Sequence, residues 1–554
     1  MADGTITPLR STDDVFLPPR GNEFMKFSFG FPEPSVEFAG YRFGFLVFSD
    51  ENTYGLRADA MTVTPVAGGL QLHCSRFVWA GGQETAPGSL TVTFHREGNA
   101  IEWDIVAMMD RPVKTVTTVI RGIPRGLVSL GAGDARDRKD DEILAGYPFA
   151  AGDLHGPGAA EMISTPVMAV QGENGSVVAV SSLDSRVRPK RFYLQPGAEG
   201  YRVEAIYEHD GWRNDHQVPV PRWRLVRAPT LDDALAPHFT FLQQAFQLVP
   251  WEERADLPAW ARDLALVVTL HGMHYTGYMF NDYAGMAEIL RWMATRIAPS
   301  RVLVFLPAWD GRYYYDYPTY HTAERMGGEA GFRQLVTEAR GLGYHVAPMF
   351  GLNAANRRLP SWPAIQGGAV TKVDGDVYNL NWVDWNNDRH QDGWLAYMNV
   401  GEVSWREYLL ARIDEVIVRY GVDAYFLDIS AGHVNARNGD MHLGIRQLVQ
   451  EIRLRHPEVL CIGEFPYDAL HGFIPMFQVG LGPRWRVYSR NFQHLSSPAP
   501  GLGSSGVHEQ GFGHFDPATY NLSPGSIPTL QVVDDTFGTQ REAMESILRS
   551  AGGR

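Results

Sequence analysis

The sequence predicts a multidomain protein in which an N-terminal all-β sandwich is followed by an α/β barrel of the (β/α)8 TIM type. Short runs of β-branched and aromatic residues, separated by Gly, Pro, Asn and Asp clusters, fill the first part of the chain. Beyond residue 264, strands alternate with amphipathic helices, which is typical of a parallel sheet with right-handed crossovers. No dinucleotide-binding segment opens this second part, so a barrel fits better than a doubly wound sheet.

Residues 1–228 form the predicted β-sandwich domain. Within it, Asn174-Gly175 lies between two apolar runs and favours a tight β-hairpin turn. The predicted strands are Leu70–Ala80, Ser89–His95, Ile101–Met109, Val113–Ile120, Pro166–Gln171, Ser176–Ser181, Arg191–Leu194 and Tyr201–Tyr207.

A helical linker is predicted over residues 229–263. Thr230 is a suitable N-cap, and two aspartates follow it in the first turn of an amphipathic stretch. A segment punctuated by prolines then leads to the barrel, which we assign to residues 264–554.

The barrel strands are predicted from short apolar runs, of which the last two are the weakest. The predicted strands are Leu264–Leu270, Arg301–Leu306, Tyr344–Phe350, Asp423–Ile429, Val459–Ile462, Arg486–Arg490 and Thr529–Val533. The predicted helices are Gly285–Thr295, Glu329–Arg340, Trp405–Tyr420, Gly444–Arg455 and Gln540–Arg549.

Two carboxylates stand at the carboxyl ends of successive predicted strands. Asp428 follows the apolar run AYFL, and Glu464 follows VLCIG one β–loop–α–β unit later. Barrel active sites lie at this end of the strands, and neighbouring strands are roughly 4.8 Å apart, so the two carboxyls can face one pocket. Cleavage of a glycosidic bond needs such a pair. We therefore predict Asp428 and Glu464 as the catalytic residues of a glycosidase.

Polar and aromatic side chains follow the other strands and predict a carbohydrate substrate. The segment LPAWDGRYYYDYPTY, after the second barrel strand, mixes rings with charged groups, as a loop does that stacks on sugars and hydrogen-bonds their hydroxyls. The predicted substrate-binding residues are His271, Trp309, Asp310, Tyr315, Asn353, Trp385, His433, Arg490 and Asp535.

Composition argues against several classes of partner. The chain has 63 acidic and 49 basic residues and a formal net charge of −14, which disfavours nucleic acid and anionic membranes. No apolar run of about 18 residues predicts a membrane span. The N-terminus, MADGTITPLRSTDD, lacks the pattern of a signal peptide, so a cytoplasmic location is expected. We predict no cofactor and no metal, and homo-oligomerisation stays open.

Three alternatives also stay open. His271 and His274, together with Asp428, are residue types that hold a metal in barrel hydrolases and isomerases. The carboxyl pair would also serve an inverting glycosidase if its two members lie roughly 6.5–9.5 Å apart. Finally, the barrel could bind sugar without hydrolysing it.

The segments YGVDAYFLDIS and VLCIGEF resemble the nucleophile and acid/base strands of retaining α-glycoside hydrolases, a group that includes the α-amylase, dextranase and endo-α-N-acetylgalactosaminidase families. The resemblance spans residues 264–535, and the preceding region loosely resembles the β-supersandwich domains of such enzymes. It implies that Asp428 is the nucleophile and Glu464 the acid/base, with Asp310, Asp534 or Asp535 as a third acid. Phe426 stands where the α-amylase family has Arg, which favours the distant relatives of that family.

Overall fold

The computed structural model divides the chain into two units. It describes residues 3–7, 34–148, 161–197, 200–210, 212–274, 277–312, 314–372, 374–380, 394–478, 480–492, 525–533 and 536–552. The first unit comprises Met1–Gln247 with the short segment His433–Arg437, and the second comprises Leu248–Gly432 with Asn438–Arg554.

In its described residues, the first unit is all-β apart from one α-helix and two short 3-10 helices. Its strands join in one hydrogen-bonded network of 18 strands, and the described pairings are antiparallel except between β12 and β13. The strands are β1 (Ile6–Thr7), β2 (Ser35–Phe38), β3 (Tyr41–Phe48), β4 (Thr53–Leu56), β5 (Met61–Val66), β6 (Gly69–Trp79), β7 (Glu84–Glu97), β8 (Ala100–Met109), β9 (Thr115–Ile123), β10 (Gly126–Leu130), β11 (Arg136–Asp137), β12 (Ile143–Tyr147), β13 (Glu161–Met162), β14 (Val167–Gly172), β15 (Val177–Ser182), β16 (Lys190–Pro196), β17 (Tyr201–Glu208) and β18 (Gln217–Ala228).

Alternation of apolar and polar residues explains these strands. In β16 and β17, every second side chain is buried, as the period of two along a strand requires. The predicted hairpin is also present: β14 pairs with β15, and Gly175 between them has a φ of 78°, which glycine adopts without strain. The all-β prediction is thus confirmed, whereas the finer supersandwich arrangement stays a prediction.

The helix α1 (Leu231–Phe246) belongs to the first unit. The Thr230 hydroxyl accepts a hydrogen bond from the Asp233 amide at 3.1 Å, which is the predicted N-cap. Ala234 and Leu235 on its apolar face pack against core residues of the sheet. This helix covers part of the predicted 229–263 linker, and the predicted domain boundaries stay predictions.

The second unit contains a parallel sheet of nine strands that curls into a nearly closed barrel. With two strands outside this sheet, the described strands of the unit are β19 (Leu266–Leu270), β20 (Val302–Leu306), β21 (His345–Gly351), β22 (Ala354–Asn356), β23 (Leu395–Tyr397), β24 (Ala424–Asp428), β25 (Leu460–Glu464), β26 (Met476–Gln478), β27 (Arg490–Phe492), β28 (Ser526–Ile527) and β29 (Thr529–Val532). β22 and β23 form a separate antiparallel pair. β28 pairs with β27, and β29 pairs with β19, so the sheet returns to its first strand across Pro528.

Helices alternate with these parallel strands as far as β25, as the pattern predicts, and two further helices follow β29. They are α2 (Tyr283–Ala294), α3 (Gly328–Leu342), α4 (Trp362–Ile365), α5 (Val403–Tyr420), α6 (Met441–Arg455), α7 (Thr536–Thr539) and α8 (Arg541–Gly552). Acidic N-caps begin three of them: Asp282, Glu402 and Asp440 each accept a hydrogen bond from an amide of the first turn.

The predicted sixth barrel strand is wrong. We expected it over Arg486–Arg490, where the structure has a 3-10 turn at Trp485–Val487, and the sheet instead contains β26 and β27. Both strands have only three residues, which is too short for a hydrophobic period to identify.

Candidate active site

The two predicted catalytic acids end adjacent parallel strands. Asp428 is the last residue of β24 and Glu464 the last of β25, and the residues directly before them, Leu427 and Gly463, are partners in the ladder. The Asp428 residue is only 3% exposed, and Glu464 is partly buried. The parallel register therefore brings both carboxyls to the same level at the carboxyl edge of the sheet.

Hydrogen bonds connect the two carboxyls to each other and to their surroundings. The Tyr314 hydroxyl donates to Asp428 Oδ2 at 2.9 Å, and the Ile429 amide donates to Glu464 Oε2 at 2.9 Å. Asp428 and Glu464 also share a side-chain hydrogen bond. The pair is thus held as a compact unit.

The surroundings raise the pKa values of both acids, and they raise that of Glu464 more. Burial raises the pKa of Asp428 to about 6, and hydrogen bonds from Glu464, Tyr314 and the Ile429 amide oppose that rise. Burial raises the pKa of Glu464 well above its usual range, and the negative charge of Asp428 and the shared hydrogen bond raise it further. At neutral pH, Asp428 is therefore the carboxylate, and Glu464 carries the proton and donates it in the shared bond.

The backbone after each acid turns sharply. Ile429 and Phe465 have φ values of 54° and 49°, a left-handed conformation that is unusual for such side chains. The Ser430 hydroxyl donates to the Glu464 carbonyl at 2.6 Å, which ties the two strand ends together. A Cβ at Gly463 would lie 2.5 Å from Ser430 Oγ, so only glycine permits this approach.

Asn353, one of the predicted substrate-binding residues, follows β21 and contacts the residue after Asp428. Its Nδ2 donates to the Ile429 carbonyl at 2.8 Å and to the Tyr397 hydroxyl at 3.2 Å. Its buried Oδ1 has no hydrogen-bond partner among the residues that the structure describes. A Cβ at Gly432 would come within 2.7 Å of Asn353 Nδ2, so the loop after β24 packs closely on this side chain.

The loop after β20 contains Asp310, and we call residues 310–312 and 314–320 the Tyr loop. Asp310 is 5% exposed, and its Oδ2 has no partner within the described part of the chain. Burial, reinforced by the negative charge of Asp316, raises the pKa of Asp310 to about 8. Asp310 is therefore a neutral carboxylic acid at pH 7 and can donate a hydrogen bond.

Tyr315 lies in the same loop and is only partly buried. The Arg312 guanidinium lies over its ring, 3.7 Å from the centroid, and its carbonyl accepts a hydrogen bond from Asn356 Nδ2 at 2.6 Å. A cation thus covers one face of the Tyr315 ring, and a hydrogen bond holds the backbone of this residue in place.

The structure does not support the prediction that Trp309 stacks on a sugar. Its side chain has no exposed surface, its ring stacks on Phe332 with centroids 4.9 Å apart, and its Nε1 donates to the Met349 carbonyl at 3.0 Å. The ring is therefore part of the packing between the sheet and α3.

His271 follows β19 at the carboxyl edge and is buried. It and His274 both pack edge-on against Phe280, and burial lowers the pKa of His274 to about 4. Within the described ranges, no group of three His, Cys, Asp or Glu side chains is arranged to hold a metal ion. The alternative of a metal centre at these histidines is not favoured.

The predicted substrate ligand Arg490 does not lie at the carboxyl edge of the sheet with the acid pair. Arg490 begins β27, level in the ladder with Ile462 rather than Glu464, and its guanidinium bonds to the Arg486 carbonyl and to Glu252. It therefore lies nearer the amino end of the sheet, which corrects its prediction as a substrate ligand.

His433 belongs to the segment that clusters with the first unit. Burial, and then the positive charge of Lys190, lower its pKa to about 3. Trp385 and Asp535, like Asp534, lie outside the described residues.

Sequence reasoning missed the contact between Tyr314 and Asp428. The Tyr-rich segment predicts rings at the site, but no local pattern distinguishes a ring that contacts sugar from one that bonds to a carboxylate across 114 positions of the chain.

Sequence comparison finds no matching family model and no matching curated protein. Comparison with solved structures does find similar folds. An α-N-acetylgalactosaminidase, NagBb from Bifidobacterium bifidum in complex with GalNAc, has a TM-score of 0.63 at 13% identity, over 86% of this chain and 79% of that chain. A GH31 family sulfoquinovosidase from E. rectale has a TM-score of 0.51 at 12% identity, over 81% and 67%.

A GH36 α-galactosidase from Geobacillus stearothermophilus, in complex with raffinose, has a TM-score of 0.50 at 11% identity, over 94% of this chain and 74% of that chain. At these identities the likeness establishes the fold. In the described residues, no helix combines the length and apolar character needed to cross a membrane. The chain thus has a multidomain architecture, with an all-β unit and a TIM-like barrel, that solved glycoside hydrolases share.

Proposed function

We propose that this protein is a glycosidase that cleaves α-linked sugars with retention of anomeric configuration. The observation that carries the proposal is the acid pair: two carboxyls on adjacent strand ends that share a hydrogen bond and differ in protonation state. Binding alone does not require a protonated acid beside a carboxylate, whereas glycoside cleavage requires both.

Each acid has one role in this mechanism. The Asp428 carboxylate attacks the anomeric carbon while Glu464 gives its proton to the departing glycosidic oxygen, which forms a glycosyl-enzyme ester and a free alcohol. Glu464, now a carboxylate, then takes a proton from water as the water attacks the same carbon and releases Asp428. The raised pKa of Glu464 supports its role as the acid.

The closeness of the pair supports retention over inversion. Inverting enzymes keep their carboxyls roughly 6.5–9.5 Å apart to admit a water molecule, whereas retaining enzymes bring them to about 5–5.5 Å. The side-chain hydrogen bond between Asp428 and Glu464 supports the closer arrangement.

Other residues of the barrel unit would bind the sugar. The unpartnered Oδ1 of Asn353 suits a sugar hydroxyl donor, and the neutral acid of Asp310 suits a hydroxyl acceptor. His271 and Tyr315 complete the proposed contacts, with Trp385 and Asp535 as sequence-based candidates, whereas His433, which clusters with the first unit, stays a prediction from sequence. Two of the similar structures were solved in complex with GalNAc and with raffinose, so α-linked hexosides are the first substrates to test.

The test is a panel of nitrophenyl α- and β-glycosides assayed with the wild type and with Asp428→Asn and Glu464→Gln. We expect turnover of at least one α-glycoside and a loss of more than a thousandfold in either variant. Asp423→Asn is the matched control, since Asp423 lies just before β24 at the opposite end of that strand. Activity near the wild-type level in either site variant would overturn the assignment.

Proton NMR of the first-formed sugar tests the stereochemistry. Release of the α-anomer supports double displacement through Asp428, whereas release of the β-anomer would establish inversion by the same two residues.

A further inference from the structure

We propose that the Tyr314 hydroxyl assigns the negative charge of the carboxyl pair to Asp428 and holds this carboxylate in position for attack. Tyr314 is 1% exposed, and its hydroxyl is 2.9 Å from Asp428 Oδ2. The inference makes Tyr314 a positioning residue, and its kinetic readout rests on the proposed function.

The other hydrogen bonds of the pair do not distinguish its two members. The Ile429 amide interacts with both carboxyls. The bond between Asp428 and Glu464 could place its proton on either side. Among the described groups, Tyr314 is the donor that bonds to Asp428 and not to Glu464. A donor on one carboxyl favours ionisation of that carboxyl.

A ladder of tyrosine rings fixes the position of Tyr314. Its ring packs edge-on against Tyr317, Tyr317 packs at a tilt against Tyr320, and Tyr320 packs edge-on against Phe350, with centroid distances of 5.2, 5.4 and 5.1 Å. These three tyrosines are each 1% exposed. Rings packed in this way have few alternative rotamers, so the hydroxyl at the end of the ladder is held in place.

The other end of the ladder is anchored beside Asp428. The Tyr320 hydroxyl donates to the Gly351 carbonyl at 2.9 Å and accepts from the Gly351 amide at 2.8 Å. Gly351 is the register partner of Asp428 between β21 and β24. The Tyr loop is therefore anchored through Tyr320 to β21, the strand next to the acid, and reaches the acid itself through Tyr314.

Further contacts fix the backbone of the Tyr loop. Asp316 Oδ2 accepts from the Arg312 amide at 2.7 Å, and the Asn356 amide donates to the Tyr317 carbonyl at 2.8 Å. The Tyr408 hydroxyl of α5 donates to the Pro318 carbonyl at 2.9 Å. These bonds belong to the loop and not to the acids, so they provide a control for the effect of Tyr314.

The principal test is Tyr314→Phe with Tyr408→Phe as the matched control. Each variant removes one hydroxyl, but only the first removes a donor to Asp428. We expect Tyr314→Phe to move the acidic limb of the kcat/KM profile upward by about one pH unit and to lower kcat more than it changes KM. The control should leave the limb in place.

A second measurement does not depend on activity. Carbon-13 labelling of aspartate side chains, with Asp428 assigned by its loss in Asp428→Asn, follows the titration of this carboxyl in the free protein. The titration midpoint should rise in Tyr314→Phe and fall when 3-fluorotyrosine, a more acidic donor, replaces Tyr314. An unchanged midpoint with either replacement, or an equal rise in Tyr408→Phe, overturns the inference.

These outcomes separate the two proposals. If Asp428→Asn keeps its activity, the proposed function fails, and the aspartate titration still decides the role of Tyr314. If Asp428→Asn is inactive and Tyr314→Phe shifts neither the titration nor the limb, only the role of Tyr314 fails.

Discussion

The buried charge of the acid pair should lower the stability of the protein in a defined pH range. The pKa of Asp428 rises on folding from 3.8 to about 6. One pKa unit corresponds to about 1.4 kcal/mol, so ionising this carboxyl costs the folded state about 3 kcal/mol relative to the unfolded chain. Because the folded pKa is the higher one, the contribution of this carboxyl to stability is fully present below pH 3.8 and is lost as the pH rises through about 6.

The double variant Asp428→Asn/Glu464→Gln removes this cost together with the cost that the raised pKa of Glu464 adds with the same sign. Both amides keep the shape of the acids, the Gln side-chain amide replaces the proton donor of the shared bond, and Tyr314 can still donate to the Asn carbonyl oxygen. We expect the free energy of unfolding of variant and wild type to agree near pH 4. By pH 8 the variant should be more stable by at least about 3 kcal/mol, the share of Asp428, because the raised pKa of Glu464 adds a cost of the same sign.

Calorimetric unfolding at steps between pH 4 and 8 measures this difference. For a unit of this size, about 3 kcal/mol corresponds to a rise of about 5 °C in the midpoint of the transition that contains the barrel. A single replacement is less informative, because the remaining acid can still ionise inside the site. A difference that stays constant with pH, or a variant less stable than the wild type at pH 8, would refute the reasoning.

Three further outcomes follow from packing. Gly463→Ala should lower kcat and reduce the free energy of unfolding by about 1–3 kcal/mol, because its Cβ would lie 2.5 Å from Ser430 Oγ. The control Gly482→Ala should do neither, because its Cβ would lie 3.9 Å from the nearest atom of Trp485; equal effects of the two variants would contradict the prediction. Trp309→Ala should cost about 3–5 kcal/mol in thermal unfolding; a raised KM with unchanged stability would restore it as a sugar contact. Arg490→Ala should change kcat/KM less than twofold in steady-state assays, and a tenfold loss would place it at the site.

The sequence could predict the strands that carry the acids because their signals are local. Apolar runs of four and five residues precede Asp428 and Glu464, and a parallel sheet brings the ends of such strands to one edge. The Thr230 cap and the Asn174-Gly175 turn are local in the same sense.

The rest depends on contacts between distant residues. Trp309 and Tyr314 belong to one aromatic segment, yet one ring packs into the core and the other bonds to Asp428. Which ring goes where depends on strands and helices far along the chain. Arg490 was misplaced for a related reason: β27 is too short to show which of its ends faces the site.

The strained backbone at Ile429 and Phe465 explains how the barrel keeps two acids so close. A left-handed conformation costs a non-glycine residue about 1–2 kcal/mol. Had Ile429 continued the extended strand, its amide would have joined the ladder with a neighbouring strand instead of pointing at a carboxylate. The left-handed turn directs that amide to Glu464 Oε2, while the Ile429 carbonyl receives Asn353 Nδ2.

Both groups of this peptide segment thus serve the acid pair, and an amide donor is what two adjacent carboxyls need if they are not to separate. The strain and the buried charge are therefore linked. The left-handed conformation of Ile429 points its amide at the acid pair, where this dipole stabilises the buried negative charge. The hydrogen bonds from Ser430 and Asn353 keep the turn in this conformation.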